Sequence, residues 1–97
     1  MNTPNEDNEM ETTAADVKPR VRKFIIGNFY IPNQDGFTDA MSLLEAGVVD
    51  STGVLEIIGF LESTFRFTVE DDEIVPENLD SIERITHYIS RKTAGAP

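Results

Sequence analysis

The chain has 97 residues, with 18 Asp and Glu against 8 Lys and Arg, a formal net charge of −10, one histidine and no cysteine. A chain of this length makes one small domain with a limited core, and its composition excludes a disulfide framework, a cysteine nucleophile and a multi-histidine metal site. The charge turns it away from nucleic acid and anionic membrane surfaces, whose phosphates require cations, and towards basic protein surfaces.

Residues 1–15 hold Asn, Thr, Glu and Asp with almost nothing to bury, and read as a disordered acidic leader lacking the basic flank and apolar run of a signal peptide. The next unit, 16–92, carries the apolar periodicity of a folded domain, and 93–97 reads as a flexible tail. In the first predicted helix, about 17–30, Val21, Phe24, Ile25 and Phe29 follow a helical period, Asp16 is placed to cap it and Pro19 falls in its first turn. Its Lys18, Arg20, Arg22 and Lys23 supply half of the chain's positive charge.

Pro32 is expected to end that helix. A long connection follows to residue 50, with a short helical turn expected around 38–45. Its Phe37, Met41, Leu43, Leu44, Val48 and Val49 are too apolar for a free linker, so the loop should pack down on the bundle. The second helix is predicted from Asp50-Ser51 to about 66, with Leu55, Ile58, Leu61 and Phe65 as its inward stripe and Val54 and Ile57 flanking. Gly53 and Gly59 lower its intrinsic propensity, so packing must hold it. Residues 67–79 form a connection, with one helical turn expected around 71–75 and an interruption at Pro76. The last helix is predicted to begin at Asp80 with an Asp80/Glu83 capping box, followed by Ile82, Ile85, Tyr88 and Ile89 at helical spacing. The pattern as a whole predicts an all-α, four-helix bundle with three main helices, one short helix and a long first loop.

The most informative stretch is Gly-Val-Val-Asp-Ser-Thr-Gly-Val-Leu-Glu-Ile-Ile at 47–58. Ser51 stands at a helix start, where its hydroxyl is exposed and a phosphodiester would meet unpaired N–H groups and the positive helix end. Taken alone, a serine in this position reads first as an ordinary N-cap. The stretch resembles the Asp-Ser-Leu attachment motif of the acyl carrier and peptidyl carrier proteins. That resemblance extends over about 17–92 through helix order, the long first loop and the closing Pro-Glu-Asn-Leu-Asp-Ser-Ile. It implies that Ser51 carries covalent 4′-phosphopantetheine, installed by a phosphopantetheinyl transferase. Acyl intermediates would then be held as thioesters and presented to an acyl-loading ligase or acyltransferase and other basic-surfaced enzymes.

The cofactor would supply the thiol that this cysteine-free chain lacks, and no nucleophile–base pair or metal cluster points to catalysis by the chain itself. Departures lie at Thr52, where the family commonly has Leu or Met, and at Gly59, where many fatty-acid carriers have Met. They point to a specialised carrier of a lipid or secondary-metabolite pathway rather than the housekeeping carrier of fatty-acid synthesis. An aminoacyl or peptidyl carrier is the nearest alternative, and an unmodified acidic adaptor a more distant one.

Between Glu45 and Glu83 there are eleven acidic residues and one basic residue, Arg66. The resemblance assigns partner docking to Glu56 and Glu62, with Asp50 at the helix start. The alternative is a solvated face that confers only solubility. A shelter for the acyl chain is expected between helices, lined by Val54, Leu55, Ile58 and Leu61 with Ile82, Ile85 and Ile89 and loop residues such as Val48 opposite. Glu70-Asp-Asp-Glu73 lacks the spaced ligands of a calcium loop, and His87 reads as a surface or half-buried residue. With no apolar run of the ~20 residues a membrane span needs, a soluble, cytoplasmic monomer is the expectation.

Overall fold

The computed structural model describes residues 14–94, so positions 1–13 of the expected leader and 95–97 of the expected tail lie outside the described residues. Within the described span the first helix already starts at Ala14, which places Asp16 in its first turn and not at its cap, and the last helix continues through Thr93 to Ala94. Among the described residues the fold is all helical, in the sequence α1 (Ala14–Asn28), α2 (Ser51–Phe65), the short α3 (Pro76–Leu79) and α4 (Ile82–Ala94). Single 3₁₀ turns lie at Gln34–Gly36 and Asp71–Glu73. Three main helices, one short helix and a long first loop agree with the sequence pattern.

Helix α1 buries Val17, Val21 and Ile25, spaced four apart, and lies mainly along α4. It stops at Asn28, earlier than Pro32 suggested. The Phe29 N–H still reaches the Ile25 carbonyl at 3.0 Å, and the Asn28 side-chain amide folds back to donate to the Phe24 carbonyl at 2.9 Å. Helix α4 contributes Ile82, Ile85, Tyr88 and Ile89, all essentially inaccessible to solvent. Its start corrects the predicted capping box, because the cap is Ser81, whose buried hydroxyl accepts the Arg84 N–H at 3.0 Å. Asp80 is freed for another task. Pro76 does not interrupt a connection; it opens α3 from the first helical position, where its missing N–H costs nothing.

The first loop packs down as expected, with Ile31, Phe37, Leu43, Val48 and Val49 buried, while Met41 and Leu44 remain partly exposed. No helix forms at 38–45; the chain there makes turns and is fixed by specific polar contacts. Asp80 receives the Ser42 hydroxyl and the Leu44 N–H on its carboxylate, and the Leu43 N–H on its carbonyl at 2.8 Å. Arg22 ties the same loop to α1, donating to the Asp39 carboxylate at 2.7 Å and to the Phe37 carbonyl at 3.2 Å. The Glu83 N–H completes the attachment by donating to the Asp39 carbonyl. Gly47 takes a left-handed φ of 75° at the turn that delivers Val48 and Val49 to the core just before α2.

The inward stripe of α2 is Gly53, Ile57, Leu61 and Phe65: Leu61 and Phe65 are as predicted, while in the first half of the helix Gly53 and Ile57 take the inward places expected of Leu55 and Ile58. Leu55 projects into solvent at 66% exposure, and Ile58 and Val54 sit half-buried at the flanks. Gly53 explains the choice of register. A Cβ there would lie 2.9 Å from the Phe29 ring and 3.0 Å from Val49, so glycine alone lets the helix start approach the end of α1. Two turns further along α2, Phe60 stacks on Phe24 with centroids 4.0 Å apart, fixing the same face against α1.

Candidate functional site

Asp50 and Ser51 occupy the junction where the buried Val48-Val49 segment turns into α2. Asp50 has extended backbone and is the N-cap, its carboxylate accepting the Gly53 N–H at 2.8 Å. Ser51 is therefore the first helical residue and not the cap. Its side chain is exposed, and no described residue engages its hydroxyl. The geometry separates two roles that adjacent polar residues could have shared: Asp50 secures the helix, which leaves the Ser51 oxygen available as a nucleophile. The first-turn N–H groups and the helix dipole favour a negative group attached at this end.

An apolar cavity of about 160 Å³ lies directly beside this end, lined by Leu43, Leu44, Val49, Val54, Ile74, Val75, Pro76, Leu79 and Asp80. Val49 precedes Asp50-Ser51 and Val54 follows it, so both walls of the junction face the cavity. Of the seven helical residues expected from sequence to line a shelter, only Val54 does so. Leu55 is in solvent, Ile58 is half-buried, and Leu61, Ile82, Ile85 and Ile89 are spent on the solid core, each with 0% exposure. The cavity is walled by the first loop and the 74–80 connection instead of by α4. A contribution from the first loop was expected, and it comes through Leu43, Leu44 and Val49 in place of Val48; the 74–80 wall was missed because Ile74, Val75 and Leu79 lie in a short stretch with no helical period to assign them a face. The Gly59 position has only open space around it and does not touch the cavity.

On the other side of Asp50 runs a wider, more polar trough of about 490 Å³, whose borders include Phe29, Val48, Thr52 and Glu56. The three acidic residues assigned to docking have different circumstances. Glu56 is exposed on the outer face of α2. Asp50 is exposed but occupied as the cap. Glu62 is half-buried and accepts the Val69 N–H at 2.9 Å, while its carbonyl receives the N–H of Arg66, the residue that ends α2 in a left-handed conformation at φ 63°. It thus fastens the chain leaving α2, a structural duty the acidic pattern did not reveal.

Among the described residues, no group of three or more His, Cys, Asp or Glu side chains is arranged to hold a metal ion, and no helix is long and apolar enough to cross a membrane. In the acidic run 70–73, Glu73 is drawn inward. Its carboxylate accepts the Glu70 N–H at 3.0 Å, the Lys92 ammonium at 2.9 Å and the Tyr88 hydroxyl at 2.8 Å. These donors, the Glu70 N–H foremost, hold the Glu73 carboxyl down at about 2. Burial, followed by the hydrogen bond to Glu73, pushes the Tyr88 phenol above its ordinary range. His87 is exposed.

No protein-family model, no curated protein and no solved structure matches this chain.

Proposed function

We propose that this chain is a carrier domain that receives 4′-phosphopantetheine on Ser51 and holds an acyl group as a thioester on that arm. The observation that carries the reading is the juxtaposition at the start of α2. An exposed serine with an unengaged hydroxyl, released from capping by Asp50, stands at a positive helix end between two valines that line an apolar cavity. In the attachment step the Ser51 oxygen attacks the phosphoanhydride of coenzyme A. The new phosphoester forms as the nucleotide half leaves with the anhydride electrons, and the serine proton passes to a base of the transferase. The product carries a phosphodiester next to the N–H groups of the first turn, where negative charge is favoured.

Catalysis by the chain has no place in this scheme, since a thioester is already activated towards attack. The apolar cavity gives a hydrocarbon cargo somewhere to go. Leaving each methylene in water forgoes roughly 0.8 kcal/mol of transfer free energy, so even a short chain gains by entering. An empty apolar space of about 150 Å³ accommodates a molecule the size of benzene, which suits a cargo of about six carbons. Exposed Glu56 and Leu55 on the outer face of α2 form the surface offered to transferase and loading enzymes, with the chain's acidity steering basic partners. A specialised lipid or secondary-metabolite pathway agrees with Thr52 and Gly59 on that helix.

Intact-mass measurement after incubation with a phosphopantetheinyl transferase and coenzyme A tests the assignment. The wild-type chain gains one phosphopantetheine and Ser51→Ala gains none. An unmodified wild-type chain, or a modified Ser51→Ala, refutes it.

A further inference from the structure

The wall of the cavity formed by Ile74, Val75 and Pro76 belongs to neither of its long flanking helices. It runs from the 3₁₀ turn Asp71–Glu73 into α3, and its own apolar hold is weak, since Ile74 is 38% exposed. Four acidic residues in succession, Glu70 to Glu73, repel one another at its outer edge. The segment is nevertheless held against α4: Arg84 donates to the Pro76 carbonyl at 3.3 Å and Arg91 to the Asn78 side chain at 2.6 Å, and Glu73 ties down the 3₁₀ turn that leads into it. Its carboxylate gathers the Tyr88 hydroxyl and the Lys92 ammonium, at 2.9 and 3.1 Å to its two oxygens. Its carbonyl receives the Asn78 amide at 2.9 Å. Tyr88 and Lys92 are themselves positioned by Phe67, edge-on to the Tyr88 ring at 5.6 Å and 5.8 Å from the Lys92 ammonium.

We propose that Glu73 is a positioning residue for the cavity: it latches the 70–76 wall to α4 and so sets how far the cavity opens and how long a cargo it admits. This rests on reading the cavity as the chamber for an acyl chain. With the latch closed, Ile74 and Val75 cap the space at its present size. With it open, the wall hinges on its flanking turns and the cavity gains length towards solvent without disturbing the α1–α4 core.

The first measurement uses the unmodified chain. Amide hydrogen exchange at Ile74, Leu79 and Asp80, whose N–H groups bond to Asp71, Val75 and Pro76, reports release of the wall. Glu73→Ala is expected to speed exchange there by about tenfold, the scale of losing a hydrogen bond to a charged group, with Ile57 and Leu61 of α2 unchanged. Glu73→Gln, which keeps an acceptor but loses the ion pair, falls between. Asp39→Asn, which weakens the comparably exposed Arg22 pair on the opposite, first-loop side of the cavity, leaves the 70–76 wall unaffected. Unchanged exchange in Glu73→Ala, or equal acceleration in every helix, overturns the latch.

The second measurement loads an acyl series onto the modified chain. In the wild type the rise in melting temperature levels off near six carbons, and in Glu73→Ala it continues to longer chains. The same plateau in both overturns the length-setting role. If Ser51 accepts no phosphopantetheine, the carrier reading falls while hydrogen exchange still decides the latch.

Discussion

Gly53 sits where two opposing effects of a single methyl group can be weighed. Replacing a helical glycine by alanine ordinarily stabilises by roughly 0.5–1 kcal/mol, through backbone entropy. At Gly53 the new Cβ would lie 2.9 Å from Phe29 Cε1, 3.0 Å from Val49 Cγ1 and 3.5 Å from the Asp50 cap oxygen. Val49 is buried and cannot retreat, and Phe29 is packed edge-on to Phe24 with centroids 6.0 Å apart. Overpacking of this kind costs typically about 1–3 kcal/mol, so the clash outweighs the propensity gain and Gly53→Ala should lose about 1–2 kcal/mol. At Gly59, where nothing lies within 4 Å, the same substitution meets no clash and should gain about 0.5–1 kcal/mol. Urea unfolding followed by circular dichroism measures both, and the sign difference is the test. Phe29→Leu supplies a control, because trimming the ring should shrink the Gly53→Ala penalty in the double variant. If Gly53→Ala stabilises as much as Gly59→Ala, the close approach of α2 to α1 is not the reason for glycine at the start of α2.

The remaining predictions concern the site and its supports. Ser51→Ala should change stability by no more than about 0.5 kcal/mol, because Asp50 carries the cap, whereas Asp50→Ala should cost about 1 kcal/mol; thermal unfolding separates them. Because the Glu73 carboxyl falls from 4.5 to about 2 on folding, its contribution is fully present above the unfolded value and is lost as pH falls through about 2. Acid unfolding of Glu73→Gln should therefore lack that part of the wild-type pH dependence between those limits. Glu56→Lys should slow association with the transferase at low salt and leave stability within about 0.5 kcal/mol. Glu62→Lys should instead lower stability by about 1–3 kcal/mol by orphaning the Val69 N–H, and equal stability of the two variants in urea unfolding would contradict that division.

The helix order, the packed-down loop and the start of α2 were legible because each depends on local pattern: periodic apolar residues, an apolar stretch between turns, and an Asp-Ser pair before an amphipathic run. The inward face of the first half of α2 was not, although Leu61 and Phe65 in its second half were. Val54, Leu55, Ile57, Ile58, Phe60 and Leu61 surround that helix with apolar side chains, so periodicity offers nearly equal stripes. The choice among them is made by a long-range contact, Gly53 against Phe29, and by the Phe24–Phe60 stack, which no window of sequence contains.

Adjacent residues with interchangeable chemistry produced the other differences. Asp80 and Ser81 are both good caps, and the structure uses Ser81 for α4 because Asp80 is needed to anchor Ser42 and Leu44. Asp50 and Ser51 are both good caps too, and there the division runs the other way. Asp takes the helix N–H and Ser is left unengaged at the surface. The consequence reaches function. A serine bound into a cap would have to break that bond before attack and would weaken the helix on modification, whereas the proposed esterification of Ser51 would leave the cap on Asp50 intact. The walls of the cavity depend on the same economy: the loop that Asp80 anchors forms one wall, and the segment that Glu73 ties to α4 forms the other, both outside the α1–α4 core.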